Sequence, residues 1–247
     1  MAAPPDVIYP GIFVTGTGTG VGKTIVSASV VHALHMRGIA AAAIKPFATG
    51  VTDESSWQDD DAKLLAAVSK LPLDVVSPYR FPDPVAPLTA ARAQGMRIDV
   101  DGALRSVREL IASHPFTVVE GVGGAAVPLT PTTLVSDFAA ALRLPVLIVS
   151  RTDLGTINHT LLTIDHLRSR DCEILGVIFT HHSPTDADMA QLTGPAVVSE
   201  ISYIERFGVI PYCPALRGDA DLHTATSGLP WRSEALKALT TSLFAES

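Results

Sequence analysis

The segment 12–24, with the sequence IFVTGTGTGVGKT, constrains the fold of this chain more than any other. Three apolar residues suited to a buried strand precede a glycine-rich loop, and Lys-Thr then opens a helical pattern, which is the order of a phosphate-binding loop. Loop amides and a helix N-terminus attract anions, Lys23 can reach the β- and γ-phosphates, and the Thr24 hydroxyl can ligate Mg²⁺. Five residues separate Gly16 from Gly22, whereas the common pattern has four. The predicted nucleotide contacts in this loop are Thr17, Gly18, Thr19, Gly20, Val21, Gly22, Lys23 and Thr24.

The overall composition excludes several classes of function. The 247 residues carry a net charge of −7 and only 6% are aromatic, so a basic or base-stacking surface for nucleic acid is not expected. The two cysteines, Cys172 and Cys213, are too few for a metal cluster or a disulfide framework and suggest a reducing compartment. No signal peptide and no membrane-spanning apolar run is present, so we expect a cytoplasmic protein. We interpret residues 1–9 as an N-terminal extension and residues 10–247 as one domain.

Six or seven short apolar segments alternate with helical patterns along the chain. This alternation predicts an α/β protein with a single-domain P-loop fold, in which a doubly wound, mostly parallel sheet of about seven strands has helices on both faces. The clearest predicted strands are 12–14, 39–44, 116–119, 145–149, 174–179 and 207–210. The clearest predicted helices are 25–37, 98–112, 161–167 and 231–244.

Charged residues follow two of these strands. Lys45 comes directly after strand 39–44, and Glu120 comes directly after strand 116–119. Ligands of doubly wound sheets bind at the carboxyl ends of the strands, so Lys45 is placed to act beside the phosphate-binding loop. Glu120 has the position expected of a second metal-binding carboxylate. The acidic run 59–61 precedes a helical pattern, and it either caps that helix or holds Mg²⁺.

Other segments have a structural interpretation beside a functional one. The proline-rich segment 79–95 reads as irregular, and it suits either a rigid substrate wall or an ordinary connection. Asp137 is more simply explained as a negative charge at the start of a helix. Thr156 or Asn158 can cap the helix predicted after them.

Six motifs, taken in order, resemble one family of nucleotide-dependent enzymes. They are GTGTGVGKT at 16–24, KPFATG at 45–50, DDDAKLL at 59–65, YRFPDPVAP at 79–87, VVEGVGG at 118–124 and DLGTINHTLLT at 153–163. Together they resemble the dethiobiotin synthetases over residues 12–215, which is most of the chain. The five-residue spacing of the loop is itself a feature of that family.

The resemblance implies an ATP-dependent, Mg²⁺-dependent ligase of biotin biosynthesis. Its substrates would be 7,8-diaminopelargonic acid, CO₂ and ATP, and its products dethiobiotin, ADP and phosphate. One amine takes up CO₂ as a carbamate, and the carbamate oxygen attacks the γ-phosphate to give a carbamic-phosphoric anhydride. The second amine then closes the ureido ring and expels phosphate. The resemblance also implies a homodimer in which each site is built from two chains.

Individual residues take their expected roles from the same resemblance. Lys45 matches the active-site lysine that acts with Lys23, and Thr49 matches a substrate-contacting residue. Asp61, rather than its two acidic neighbours, matches the metal-binding aspartate, which acts with Thr24 and Glu120. The other expected substrate contacts are Pro87, Gly121, Val122, Gly155, Thr156 and Asn158, the last three reaching the neighbouring subunit's site. The other expected nucleotide contacts are Asp61, Glu120, Gly123, Thr180, His181, Pro211, Tyr212 and Cys213.

Two departures from the family pattern concern the nucleotide site. Thr180 and His181 stand where many relatives carry Asn-Asp, whose asparagine contacts adenine. This departure leaves adenine selectivity open but not the phosphate chemistry, so ATP or another nucleoside triphosphate remains the expected co-substrate. Gly20 replaces a glutamate found in some members, which removes one possible polar contact to the nucleotide or the metal shell.

Three other functions fit the sequence less well. A partition- or maturation-type P-loop ATPase commonly carries a second lysine early in the loop, and this loop has none before Lys23. An amidoligase would need a glutaminase domain, for which the chain leaves no room after about residue 215. A non-catalytic binding module would not need Lys45, Asp61 and Glu120 together at strand ends.

Overall fold

The structure is a computed structural model, and it describes residues 9–52, 54, 60–183, 188–205, 207–212, 229–230 and 233–242. The strands are β1 (Gly11–Gly16), β2 (Ala41–Ile44), β3 (Phe47–Thr49), β4 (Tyr79–Phe81), β5 (Phe116–Glu120), β6 (Pro128–Thr130), β7 (Thr133–Leu134), β8 (Val146–Arg151), β9 (Ile174–Thr180) and β10 (Phe207–Ile210). The helices are α1 (Lys23–Met36), α2 (Asp61–Ser69), α3 (Leu73–Val76), α4 (Pro87–Ala93), α5 (Val100–Ser113), α6 (Val135–Leu142), α7 (Thr156–Arg168), α8 (Met189–Ser202) and α9 (Glu234–Ser242).

The central sheet is parallel and has the spatial order β2-β5-β1-β8-β9-β10. The chain runs from β1 to β2, returns to β5, and then crosses to β8 on the other side of β1. The strand order therefore reverses around β1, which is where open α/β sheets bind their ligands. The doubly wound parallel sheet is confirmed, with six strands in the described residues where about seven were expected.

Alternating side chains of β1 point into two hydrophobic cores, one on each face of the sheet. Ile12 and Val14 are buried in a core that includes apolar residues of α1, α2 and α9. Phe13 is buried in the other core, with residues of α5, α6, α7 and α8. Helices thus cover both faces, as the continuous apolar strands predicted.

Two predictions of local structure were wrong. The proline-rich segment 79–95 is not irregular, because it contains β4, which pairs in parallel with β3, and the helix α4. Pro87 opens α4 because its fixed φ suits the first turn of a helix, where no amide donor is needed. The helix predicted at 161–167 begins earlier, at Thr156, and its N-cap is Gly155 with φ 98°, so neither Thr156 nor Asn158 caps it.

Some predictions concern residues outside the described part of the chain. These residues are 1–8 of the N-terminal extension, Asp59 and Cys213. The closing helix predicted at 231–244 is described over α9. Within the described residues, every helix is too short or too polar to cross a membrane.

Asp137 stabilises the start of α6, as its position predicted. One carboxylate oxygen accepts a hydrogen bond from the Leu134 amide at 2.7 Å, and the other accepts one from Nε of Arg170 at 2.8 Å. Burial alone would raise the pKa of Asp137, but these two donors outweigh it and lower the pKa below its ordinary value of 3.8. The ionised form is therefore stabilised by folding.

We expect Asp137→Ala to lower the free energy of unfolding by about 1 kcal/mol at pH 7, because it removes a helix cap and a partly exposed ion pair. This contribution is complete above pH 3.8, the ordinary pKa, and is lost as the pH falls through the lower pKa of the folded state. Urea unfolding of both proteins at pH 7 measures the loss of stability. The same comparison at pH 4 and at lower pH values shows whether the difference between the two proteins disappears. Asp101→Ala, which removes only a charge in the first turn of α5, is the control; an equal loss there would contradict the prediction.

Candidate functional site

The loop between β1 and α1 depends on two glycines with positive φ. Gly20 has φ 68°, and Gly22, the N-cap of α1, has φ 90°. A Cβ on Gly22 would lie 3.1 Å from Cγ2 of Thr180, so another residue there would be both strained and crowded. Thr180 also donates a hydrogen bond to the Val21 carbonyl at 2.8 Å, which ties the loop to the end of β9. The predicted strand, loop and helix are present in the predicted order.

Lys23 is the first residue of α1 and is almost completely buried. Its Nζ donates a hydrogen bond to the Gly18 carbonyl at 2.9 Å. The pKa of Lys23 is lowered to about 8, first because burial disfavours the charged form and second because the ammonium group of Lys45 is close. A bound phosphate group would relieve both effects by supplying negative charge. Lys23 is therefore placed to receive an anion.

Lys45 is at the centre of the charged groups in this site. It directly follows β2, and its Nζ donates to Oε1 of Glu120 at 2.9 Å and to Oδ2 of Asp61. Burial alone would lower the pKa of Lys45, but the carboxylates of Asp61 and Glu120 outweigh burial and raise it above the ordinary 10.5. Lys45 is therefore an ammonium group at neutral pH, although only 5% of the residue is exposed.

Glu120, at the end of β5, is fully buried and has one carboxylate oxygen without a partner. Its Oε1 accepts hydrogen bonds from the Thr24 hydroxyl at 2.7 Å and from Lys45. Its Oε2 has no hydrogen-bond partner among the described residues. Such an oxygen is costly to bury unless a cation or a donor meets it. Glu120 thus has the orphaned acceptor that a metal ligand requires.

The residues around Glu120 fit a metal ion that arrives with a nucleotide. Thr24, Asp61 and Glu120 offer the hydroxyl and carboxylate oxygens that Mg²⁺ prefers, and the side chain of Asp61 is 51% exposed. In the described part of the chain, no three His, Cys, Asp or Glu residues are grouped so that they could hold a metal by themselves. Mg²⁺ in nucleotide sites commonly binds one or two carboxylates together with phosphate oxygens and water.

A cavity of about 280 Å³ opens beside these charged groups. The predicted site residues that line it are Thr19, Gly20, Lys23, Lys45, Thr49, Asp61, Pro87, Val122 and Gly123. The other lining residues are Ala48, Val51, Pro84, Val85, Ala86 and Val127. The cavity therefore combines two lysines and a carboxylate with a largely apolar wall.

Several other predicted site residues support the cavity without lining it. Gly121 packs in the core, where a Cβ would lie 2.9 Å from Cγ1 of Val135. The hydroxyls of Thr17 and Thr156 both lie 3.2 Å from the hydroxyl of Ser150, so the loop and the start of α7 share one buried polar contact. These residues hold the backbone of the site in place.

The remaining predicted residues lie at the ends of other elements. His181 follows β9, and its Nδ1 lies 3.0 Å from the Thr152 hydroxyl. Pro211 and Tyr212 follow β10. Gly155 and Asn158 lie at the start of α7 and do not line the cavity of their own chain.

Two arginines that the sequence reasoning missed also brace the site. Arg151, at the end of β8, donates to the Gly20 carbonyl at 2.9 Å. Arg80, on β4, donates to Oδ2 of Asp60 at 2.8 Å. The signal for Arg151 was the one that identified Lys45, a charged residue at the end of an apolar strand. Arg80 had no comparable signal, because the prolines around it predict an irregular segment rather than a strand.

The chain is similar to known proteins over most of its length. A family model described as "AAA domain" matches residues 10–220. The ATP-dependent dethiobiotin synthetase BioD of Anaeromyxobacter dehalogenans (strain 2CP-C) is 41% identical over 206 residues, which cover 83% of this chain and 91% of that protein. The protein of the same name from Thermodesulfovibrio yellowstonii is 33% identical over 225 residues, which cover 87% of this chain and 94% of that protein.

Solved structures with the same architecture are more distant in sequence. The MinD cell division protein of Aquifex aeolicus matches with a TM-score of 0.55 at 18% identity, covering 94% of each chain. A ParA family ATPase from Chlorobium tepidum matches with a TM-score of 0.54 at 13% identity, covering 97% of this chain and 98% of that one. At these identities the likeness shows the fold alone.

We expect Glu120→Gln to weaken Mg²⁺ binding by about tenfold or more in the presence of a non-hydrolysable ATP analogue, because the amide cannot replace a buried carboxylate oxygen at a cation. Titration calorimetry with Mg²⁺ measures the effect without turnover. Glu109→Gln, on the exposed side of α5, is the matched control. Equal Mg²⁺ affinity in Glu120→Gln and the unmodified protein would show that Glu120 is not a ligand.

Proposed function

We propose that this chain carries out the reaction of the family to which it belongs, the ATP-dependent dethiobiotin synthetases. The resemblance predicted from the motifs is confirmed by relatives that match over most of their own length. The enzyme is therefore a ligase that uses ATP to form C–N bonds in biotin biosynthesis. The observation that carries the proposal is that Lys23, Lys45 and Asp61 line one cavity with an apolar wall.

The two lysines suit the phosphoryl-transfer step. Phosphoryl transfer is accelerated by positioning and by charge stabilisation, and it needs little covalent help from the protein. Lys23 and the loop amides would hold the β- and γ-phosphates. Lys45, which its two carboxylates keep charged, would lie beside the carbamate oxygen and the γ-phosphoryl group.

Membership of the family implies the bond changes of the reaction. The carbamate oxygen forms a bond to the γ-phosphorus as the bond from that phosphorus to the ADP oxygen breaks. The second amine then attacks the carbamate carbon, loses a proton, and expels inorganic phosphate as the ring closes. Both lysines would stabilise negative charge on oxygen throughout.

We propose Mg²⁺ as the metal and Thr24, Asp61 and Glu120 as the residues that hold it with the nucleotide. When bound, the metal supplies positive charge to the phosphate oxygens. The unpartnered Oε2 of Glu120 supports this assignment. Because Lys45 bonds to the same two carboxylates, it keeps their charges compensated before the nucleotide arrives.

The apolar wall of the cavity suits the carbon chain of 7,8-diaminopelargonic acid. Thr49, Pro87 and Val122 would contact this substrate, with the methylene groups against the apolar side chains. Thr49 adds a hydroxyl that can hydrogen-bond to a polar end of the substrate. Gly121 would act indirectly, because its lack of a side chain lets the turn after β5 pack closely on the core.

We propose a homodimer in which the start of α7 reaches the neighbouring subunit's substrate. Gly155 and Asn158 do not line their own cavity, as such an arrangement requires, and the buried Thr156 fixes the helix start that carries them. Leu154, which is 91% exposed, directly precedes that helix, and Met189 at 74% and Leu192 at 66% are exposed on α8, which packs against α7. A second copy would bury them.

Thr180 would support the phosphate-binding loop rather than select a base, because its hydroxyl donates a hydrogen bond to the Val21 carbonyl. The co-substrate is ATP or another nucleoside triphosphate.

The cytoplasm, where nucleoside triphosphates are supplied, is the proposed place of action. A switch ATPase is the less favoured function, since its support is the fold alone.

The decisive test is turnover of the purified protein with Mg²⁺ and each of ATP, CTP, GTP and UTP. Nucleoside diphosphate release should require both 7,8-diaminopelargonic acid and bicarbonate, because the phosphoryl acceptor is their carbamate. Omitting the diamine or the bicarbonate is the internal control. Hydrolysis that proceeds equally without the diamine would contradict the ligase assignment and favour the switch ATPase.

A further inference from the structure

We propose that Arg80 and Asp60 form a positioning pair that fixes Asp61 at the candidate metal site. The inference rests on the proposed function insofar as Asp61 acts there as a metal ligand. It assigns different tasks to two adjacent aspartates: Asp60 is structural and faces inward, and Asp61 faces the cavity. Arg80 belongs to neither the phosphate-binding loop nor the cavity lining.

Asp60 is fully buried, and both of its carboxylate oxygens are engaged. Oδ1 accepts a hydrogen bond from the Ala62 amide at 3.0 Å, which caps α2. Oδ2 accepts one from the Arg80 guanidinium at 2.8 Å, and Arg80 is itself only 14% exposed. Arg80 also donates to the Thr52 carbonyl at 3.2 Å. This pair therefore joins β4, the chain after β3 and the start of α2.

Asp61 takes its position from the residue before it. Asp60 is the extended N-cap and Asp61 is the first helical residue, so the point at which α2 begins decides where the Asp61 carboxylate lies. That carboxylate meets Lys45 and lines the cavity. A displaced Asp60 would carry Asp61 with it.

Charge explains why the pair needs an arginine. A carboxylate buried without a partner is strongly unfavourable, so Asp60 without Arg80 would move toward another cation or toward water. One buried cation is Lys45, which bonds to the next residue in the chain, Asp61, and already serves both Asp61 and Glu120. Arg80 thus keeps Asp60 from disturbing the charge balance of the metal site.

The test measures Mg²⁺ affinity directly, by calorimetry with a non-hydrolysable ATP analogue and without turnover. Arg80→Met and Asp60→Asn should each weaken Mg²⁺ binding by about tenfold, the typical effect of a residue that orients a metal ligand. Asp60→Asn keeps a capping oxygen but removes the ion pair, so it separates the charge from the cap. Arg80→Lys should recover part of the affinity. Without Mg²⁺, the variants and the unmodified protein should bind the ATP analogue with similar affinity.

Arg105→Met is the matched control. Arg105 contacts Asp99, which caps α5 as Asp60 caps α2, but this second pair is exposed and does not line the cavity. Thermal unfolding of every variant separates stability from metal binding. Normal Mg²⁺ affinity in Arg80→Met and Asp60→Asn, even with lowered stability, would overturn the proposal. The two proposals can also fail separately. If the variants bind Mg²⁺ more weakly but the unmodified protein hydrolyses nucleotide equally well without 7,8-diaminopelargonic acid, the positioning pair is supported and the ligase function is rejected.

Discussion

The structure of the site depends on one ammonium group placed between two carboxylates. Lys45 is nearly buried, and it contacts both Asp61 and the fully buried Glu120. Glu120 could not be held at the end of a buried strand without this charge, because an isolated buried carboxylate is strongly unfavourable. The same charge that allows the site to fold is the one that phosphoryl transfer would use.

The parallel sheet brings these charges together. β1, β2 and β5 are neighbours in the sheet, so the loop, Lys45 and Glu120 meet at one edge although they are far apart in sequence. This juxtaposition was predictable, because buried parallel strands are continuous apolar runs and ligands gather where such strands end. Asp61 was less predictable from chemistry alone, since an aspartate before a helix serves equally well as a cap.

The sequence was a poor guide where tertiary contacts decide the outcome. Prolines suggested an irregular segment, yet Tyr79–Phe81 finds a partner strand in Phe47–Thr49. Arg80 could not be assigned a role, because its partner Asp60 is recognisable only once the two elements pack together. Gly155 took the cap position of α7, where a polar side chain was expected, and the hydroxyl of Thr156 bonds within the buried polar contact at Ser150 instead.

A double-mutant cycle on Lys45 and Glu120 measures how strongly the buried ammonium group and the buried carboxylate depend on each other. Lys45→Met, Glu120→Gln and the double variant would be compared by urea unfolding without nucleotide, with the exposed pair Lys237 and Glu234 as the reference cycle. We expect a coupling energy of about 2 kcal/mol or more, because removing Lys45 alone leaves the buried Glu120 carboxylate without a compensating charge. If the losses in the free energy of unfolding of the two single variants simply add up to the loss in the double variant, Lys45 does not compensate the charge of Glu120.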